Sequence, residues 1–348
     1  MFFLTLKSTG FVSFQSCAFY ELYGNLKGEN KMQKVVIVVP LYKIEHSPLE
    51  NISLIQLYRV LGKYPICYIS PRHLREQLKD TALWVEYFDD EFFRNVAGYS
   101  RLCLDSSFYE RFEEYEYMLL YQTDAFAFTD QLLEFCAAGY DYIGAPWPRI
   151  WTRENGIPSH FCVGNGGFSL RKIQSCLRLL KHKEQILMRY GNREHMLECE
   201  DVFWAYASSL EDEDFSTPPP VYACRFSLET WGRGSMRNLS AANLPFGCHG
   251  WTKYQCYPSW KKWIEAAGYL YLPEVDYIKS SHTVHYARIK RCRNYLWKDL
   301  KKRWSAVSWR RLHYQKWRQM LRRFFLVLKC TVLLRGAKLH VVKFPPCW

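Results

Sequence analysis

The chain has 348 residues, 49% of them apolar and 17% aromatic. That length and apolar content suffice for a full core and exclude wholesale disorder, leaving one large α/β domain or two small ones. The formal charge of +13 is confined to one end: from Arg288 onward eighteen lysines and arginines face only Asp299, so the body before it is slightly acidic and the protein is not basic all over.

Residues 1–31 are apolar in patches but broken by Lys7, Gly10, Ser13 and Ser16, without a clean apolar core or cleavage site. They are expected to form a poorly ordered extension rather than a secretory leader, with folding, and translation with it, starting at Met32. The thirteen cysteines form no C-x-x-C pair and are odd in number, which reads as reduced thiols in a cytoplasmic protein. The two sequons at Asn51 and Asn238 are too frequent by chance to argue otherwise.

The first convincing element is KVVIVVPLY (34–42), a β-branched run that predicts a parallel strand buried on both faces. Pro48 to Leu61 has helical spacing and closes at Gly62; PICYIS and LWVEYF predict further strands. A helical segment near Tyr99–Glu113 precedes a strand at 117–121. This alternation calls for a mostly parallel sheet with helices on both faces. QLLEFCAAGY then predicts a short helix, DYIGAPW a strand, 148–161 a loop, Lys172–Tyr190 a helix, ECEDVFW a helix start, and STPPPVY a loop or edge. The core is expected to end near Gly268.

Four stations along this body concentrate chemistry. In YEYMLLYQTDAFAF, Asp124 interrupts an apolar run; it is either a turn residue past a strand or a carboxylate held where open α/β sheets bind ligands. GNGGFSLR (164–171) has three glycines in four residues, either a turn between strand and helix or a place where backbone approaches a ligand. Glu200 and Asp201 open a helix, as dipole-complementing acids or as a base with its orienting partner. His249, between glycines in LPFGCHGW, is either structural or the completion of a divalent metal site.

Taken in order, YQTDAF, YDYIGAPW, VGNGGFSLR, EDVFW and LPFGCHGW resemble the GT-A class of nucleotide-sugar glycosyltransferases. More closely, the wording resembles a family of uncharacterised glycosyltransferase-like domains found largely in microbes, over roughly residues 32–268. The resemblance implies a GT-A-like, Rossmann-type mixed sheet and a metal-dependent transfer of sugar from a nucleoside-diphosphate sugar to a glycan or lipid-linked acceptor. Asp124 matches the last acid of the family's D-x-D motif, and Gln122 stands where the first acid would be, so one charge is missing. His249 matches the second ligand of Mn²⁺ or Mg²⁺. Asp201 matches the general base of inverting members, with Glu200 contacting acceptor or donor. Gly166, Gly167 and Phe168 would lie beside the donor sugar; Val39, Pro40, Leu41 and Tyr42 would cradle the base; Arg101 is a candidate diphosphate contact. Trp147, Trp231 and Trp251 are candidate stacking platforms, with core packing as the alternative.

The tail (269–348) contains SWRRLHYQKWRQMLRRFFLVLK, with apolar residues near one helical face and cations around the rest. It is read either as an interfacial helix on an anionic membrane or as a helix docked on the body. A nucleic-acid-binding protein remains an alternative on the basic tail and the aromatics, but the charge is confined to the tail, no recognition motif accompanies it and no nucleic acid is expected. A catalytically inactive GT-A-like binding module is the other alternative, motivated by Gln122.

Overall fold

The structure, a computed structural model, describes residues 33–147, 163–229, 239–253 and 256–269. The N-terminal extension, Trp231, the Asn238 sequon and the tail from residue 270 lie outside the described residues.

Strand β1 (Gln33–Pro40) sits inside a six-stranded sheet of order β3-β2-β1-β4-β7-β6. It runs parallel to β2 (Ile66–Pro71) and to β4 (Tyr115–Tyr121), and β3 (Trp84–Phe88) extends the parallel part. Strand β7 (Val163–Lys172) is antiparallel to β4 and to β6 (Tyr142–Pro146), so the sheet is mixed but mostly parallel. Alternation splits β1 between two cores, with Val35, Ile37 and Val39 on one face and Val36 and Val38 on the other.

On the first face, α1 (Pro48–Leu61) packs Leu54, Leu57 and Leu61. It starts with a capping box between Ser47 and Glu50 and has proline in its first turn. Leu78 of α2 (Arg75–Leu78) joins the same face. The opposite face carries α3 (Val96–Leu102) and α4 (Ser106–Glu110). The expected single helix there is broken because the Asp105 carboxylate accepts from the Ser107 N–H and restarts the chain. Helix α5 (Leu132–Ala137) returns to the first face through Phe135.

The helix expected over 172–190 is two helices, α6 (Ile173–Leu180) and α7 (Lys183–Tyr190), interrupted at Lys181 and His182. Helices α8 (Arg193–Glu198) and α9 (Glu200–Ala207) follow on the same side. In STPPPVY, expected as a loop or edge, Ser216 to Pro219 are irregular as expected, and the last three residues open α10 (Pro220–Phe226), because proline is tolerated in a first turn whose N–H groups are unbonded anyway. Helix α11 (Tyr257–Ala266) closes the described region.

The glycine-rich station shows the largest difference from expectation. VGNGGFSLR is no turn: it is most of the ten-residue β7, paired on both sides. Among the described residues no helix is long and apolar enough to cross a membrane. Cys67, Cys103, Cys136, Cys176 and Cys248 are buried thiols that fill core space.

Candidate active site

The apolar run around Asp124 stops because β4 ends at Tyr121. Gln122 extends the ladder by one bond, its N–H donating to the Gly167 carbonyl at 2.9 Å, and a turn closes with Ala125 N–H to the Gln122 carbonyl at 2.8 Å. The run resumes because Phe126–Ala127 form β5 of a second, three-stranded sheet of order β5-β9-β8, with β8 Ser227–Leu228 and β9 Gly247–Cys248. Phe126 and Leu228 both lie opposite Cys248. One residue beyond these pairs, the register brings His249 between the Asp124 turn and Glu229. Here the Asp124 carbonyl also accepts from the Trp251 N–H at 3.2 Å.

The side chains converge accordingly. His249 Nε2 lies 3.1 Å from Asp124 Oδ1 and 3.1 Å from Gln122 Oε1. Its Nδ1 faces Glu229 Oε1 at 3.8 Å. Lys253 Nζ donates to Glu229 Oε1 at 2.8 Å, and the Asn165 amide donates to the other Glu229 oxygen. Burial by itself would raise the Asp124 carboxyl, but His249 first and Lys253 after it outweigh burial and bring it down to about 2. Asp124 is therefore an anion at neutral pH.

Among the described residues no group of three His, Cys, Asp or Glu side chains is placed to hold a metal. The donor set at hand is one carboxylate, one imidazole and one amide oxygen. Ligands about 2.1 Å from an octahedral cation sit about 3 Å apart when adjacent, which matches both 3.1 Å separations. Oxygen and imidazole donors suit Mn²⁺ or Mg²⁺, with a ligand's own oxygens needed to complete the shell. The residues fit an incomplete divalent site.

The glycines of β7 serve these side chains. A Cβ at Gly164 would run into the Trp147 indole, one at Gly166 into Glu200 Oε1, and one at Gly167 into the His249 imidazole. None of the three has positive φ, so space and not backbone freedom selects glycine here. Gly167→Ala is expected to cost about 1–3 kcal/mol by overpacking and to displace His249. Thermal unfolding checks the first effect and nucleotide titration the second.

Glu200 and Asp201 open α9 as expected, but their roles divide. Glu200 Oε1 is bound by the fully buried Arg171 of β7 at 3.1 Å, and Glu200 Oε2 accepts from Ser100 Oγ of α3 at 3.2 Å. Arg171 also donates to Tyr109 Oη at 2.8 Å and Ser169 Oγ at 3.1 Å, with its guanidinium over the Tyr142 and Trp204 rings. Both oxygens of Glu200, expected to contact acceptor or donor, are engaged by groups of the protein, one of them in an ion pair with Arg171. Arg171→Met would leave that carboxylate buried without its cation, at about 3–5 kcal/mol, which urea denaturation reads directly.

Asp201 accepts from the Val202 N–H at 3.0 Å. Burial pushes its carboxyl well above the usual carboxylate range, and the neighbouring charges of Glu200 and Glu229 add to the effect.

The remaining expected positions scatter. Val39 and Leu41 are core side chains and Pro40 is buried; only Tyr42, 47% exposed, presents a ring, and it lies close enough to Asp124 to sense its charge. Phe168 is fully buried against Phe226, Phe246 and Tyr121, so its part is packing and not sugar contact. Arg101 is exposed on α3, and its neighbour Ser100 is the residue that reaches Glu200. Trp251 is buried, donating to Ser53 Oγ at 2.8 Å, and Trp147 is a core residue over Gly164; neither is a stacking platform.

Sequence reasoning did not find Glu229, Lys253, Asn165, Arg171 or Ser100. Arg171 had a signal, as a cation in a strand otherwise buried on both faces. Glu229 had none, because its place depends on a two-residue strand.

Compared with known proteins, residues 82–249 match a family profile described as "Protein of unknown function (DUF5672)". No curated protein matches. Among solved structures, the chain is similar to mouse xyloside xylosyltransferase 1 in its apo form, at 17% identity and TM-score 0.41, covering 63% of this chain and 97% of that one. It is also similar to the mannosyltransferase Ktr4p from S. cerevisiae in complex with GDP, at 12% identity and TM-score 0.30, covering 67% and 82%. Likenesses this distant carry no functional argument; the chain's own residues do.

Proposed function

We propose that this chain is a metal-dependent glycosyltransferase of the GT-A type, moving a sugar from a nucleoside-diphosphate sugar to a hydroxyl of a glycan or lipid-linked acceptor. The observation that carries the reading is the convergence of Asp124 Oδ1 and Gln122 Oε1 on His249 Nε2, each 3.1 Å from it, at the carboxyl end of β4. Ligands of open α/β sheets bind at that edge. The order of motifs along the chain supports the same reading.

A divalent cation held there would neutralise the departing diphosphate. Lys253, half-exposed and paired with Glu229, whose charge together with that of Asp124 raises its ammonium above the ordinary lysine value, adds positive charge on the same side. Tyr42 offers an exposed ring near Asp124 for the nucleotide. Asp201 takes the acceptor's hydroxyl proton as its oxygen attacks the anomeric carbon, and the bond from that carbon to the diphosphate breaks. A carboxylate with raised proton affinity is suited to this step. In this role Asp201 goes with inversion of configuration.

Calorimetric titration of the full chain with UDP, GDP and CDP, with and without Mn²⁺, tests the reading. One nucleotide is expected to bind, and only with the metal. Failure of all three to bind folded protein with Mn²⁺ would overturn it. The neutral Gln122 favours a second reading, a binding module without turnover. Metal-dependent nucleotide binding without hydrolysis or transfer across a panel of sugar donors would select it.

A further inference from the structure

We propose that the open edge of β3 carries a second binding site, for a small molecule bearing a phosphate monoester. Arg72, Arg75, Val85, Glu86, Tyr87 and Arg111 line a cavity of about 520 Å³ there. That volume falls within the roughly 300–1,000 Å³ of small-molecule sites. Strand β3 ends the six-stranded sheet, so among the described residues no strand covers its outer side. Strands β2 and β1 stand between it and β4, which puts β3 about 14 Å from the strand that leads to Asp124. The two sites share no residue.

The three arginines arrive from different elements. Arg72 follows the end of β2, Arg75 opens α2, and Arg111 follows α4. Arg72 Nη1 meets Asp89 Oδ1 at 3.1 Å, and Arg111 Nη1 donates to Glu86 Oε2 at 2.9 Å. Each pair uses one terminal nitrogen, and a guanidinium carries further N–H donors on the others. Arg75 has no carboxylate partner among the described residues; its guanidinium lies over the Tyr87 ring, 4.7 Å from the ring centre. Stacking of this kind holds the plane of the guanidinium and leaves its N–H edge free to donate. Glu86, the one acid of the lining, has both oxygens engaged, the second by the Trp84 indole at 3.3 Å. On the turn beyond, Asp89 is held by Arg72 and Asp90 by His73.

Three guanidinium groups against one carboxylate leave a surplus of two positive charges in the lining. A phosphate monoester near pH 7 carries about −1.5 to −2, on oxygens that match guanidinium forks. A carboxylate or a sulfate ester brings a single charge. The cavity is larger than a phosphate group, and Val85 with the Tyr87 ring gives the organic part of the ester an apolar wall.

Calorimetric titration of the metal-free full chain with phenyl phosphate tests the proposal. Saturable binding is expected, unchanged by Asp124→Asn and weakened about 10–100-fold by Arg75→Gln, the loss of one charged hydrogen-bond donor. Phenyl sulfate, of the same shape with a single charge, should bind at least about tenfold more weakly. Absence of saturable binding overturns the proposal, as does equal affinity for phenyl sulfate. Equal affinity in wild type and Arg75→Gln also overturns it and assigns the binding to cations elsewhere in the chain. Loss of binding in Asp124→Asn overturns it in favour of the candidate active site.

Arginine labelling by phenylglyoxal, read by mass spectrometry, gives a site-resolved result on wild type. Saturating phenyl phosphate is expected to protect Arg72, Arg75 and Arg111 while the half-exposed Arg189 labels as before. Unchanged labelling of all three overturns the proposal.

Discussion

Asp124→Asn is expected to abolish Mn²⁺-dependent nucleotide binding while leaving the fold standing. The substitution keeps the side chain's volume and one oxygen but removes the charge that His249 and Lys253 hold down to about 2. Asp124 is the one carboxylate in the set, and without it the site would hold a cation through an imidazole and two amides, poor donors for a hard divalent ion. Metal affinity should fall by more than about 100-fold, beyond the 10–100-fold typical of a residue behind the ligands. Transfer should fall in step. Calorimetry with Mn²⁺ and the preferred nucleotide reads the loss, and a circular dichroism melt shows that the protein is still folded. Unchanged metal-dependent binding by the variant would remove Asp124 from the site.

Asp201→Asn should lower transfer by about 10²–10⁴-fold, the range of a lost general base, with nucleotide and Mn²⁺ binding retained. The same substitution should stabilise the protein at neutral pH. Burial, with the charges of Glu200 and Glu229, raises the folded-state pKa of Asp201 above that of the unfolded chain. Between those two values the folded protein holds a proton that the unfolded chain has released, so wild-type stability falls as pH rises through that window. The window opens near pH 4, the ordinary aspartate value, and extends upward. Asparagine does not titrate, yet its oxygen can still accept from the Val202 N–H, so the start of α9 is kept. Urea midpoints should therefore favour the variant increasingly from pH 4 upward until the folded-state pKa is passed. Equal pH dependence in both proteins would mean that Asp201 is not held in its raised state.

The two outcomes separate two kinds of carboxylate. His249 and Lys253 bring the Asp124 carboxyl down against its burial, whereas burial raises the Asp201 carboxyl and Glu200 and Glu229 add to the rise.

Much of this was legible from residue order. The β-branched run at 34–40, the capped helix from Pro48 to Gly62, and the alternation up to Tyr121 each state their structure locally, because one strand or helix period decides them. Asp124, His249, Glu200 and Asp201 were visible as polar residues set where burial has to be compensated. The glycines of 164–167 misled, since a local reading counts them as turn formers, whereas their neighbours in space, Trp147, Glu200 and His249, require the absence of a side chain.

What only the tertiary structure decided is which groups meet. Glu229 reaches His249 through a two-residue strand with no period to detect. Glu200 is bound by Arg171, 29 positions earlier, and the pairing of β7 between β4 and β6 fixes that contact. Phe168 and Leu41 looked like site residues because they border the motif, but the sheet is packed on both faces and both side chains belong to its core. The sequence by itself determined the kinds of groups present and the sheet that carries them. Long-range register determined which carboxylate faces a cation and which faces its own kind.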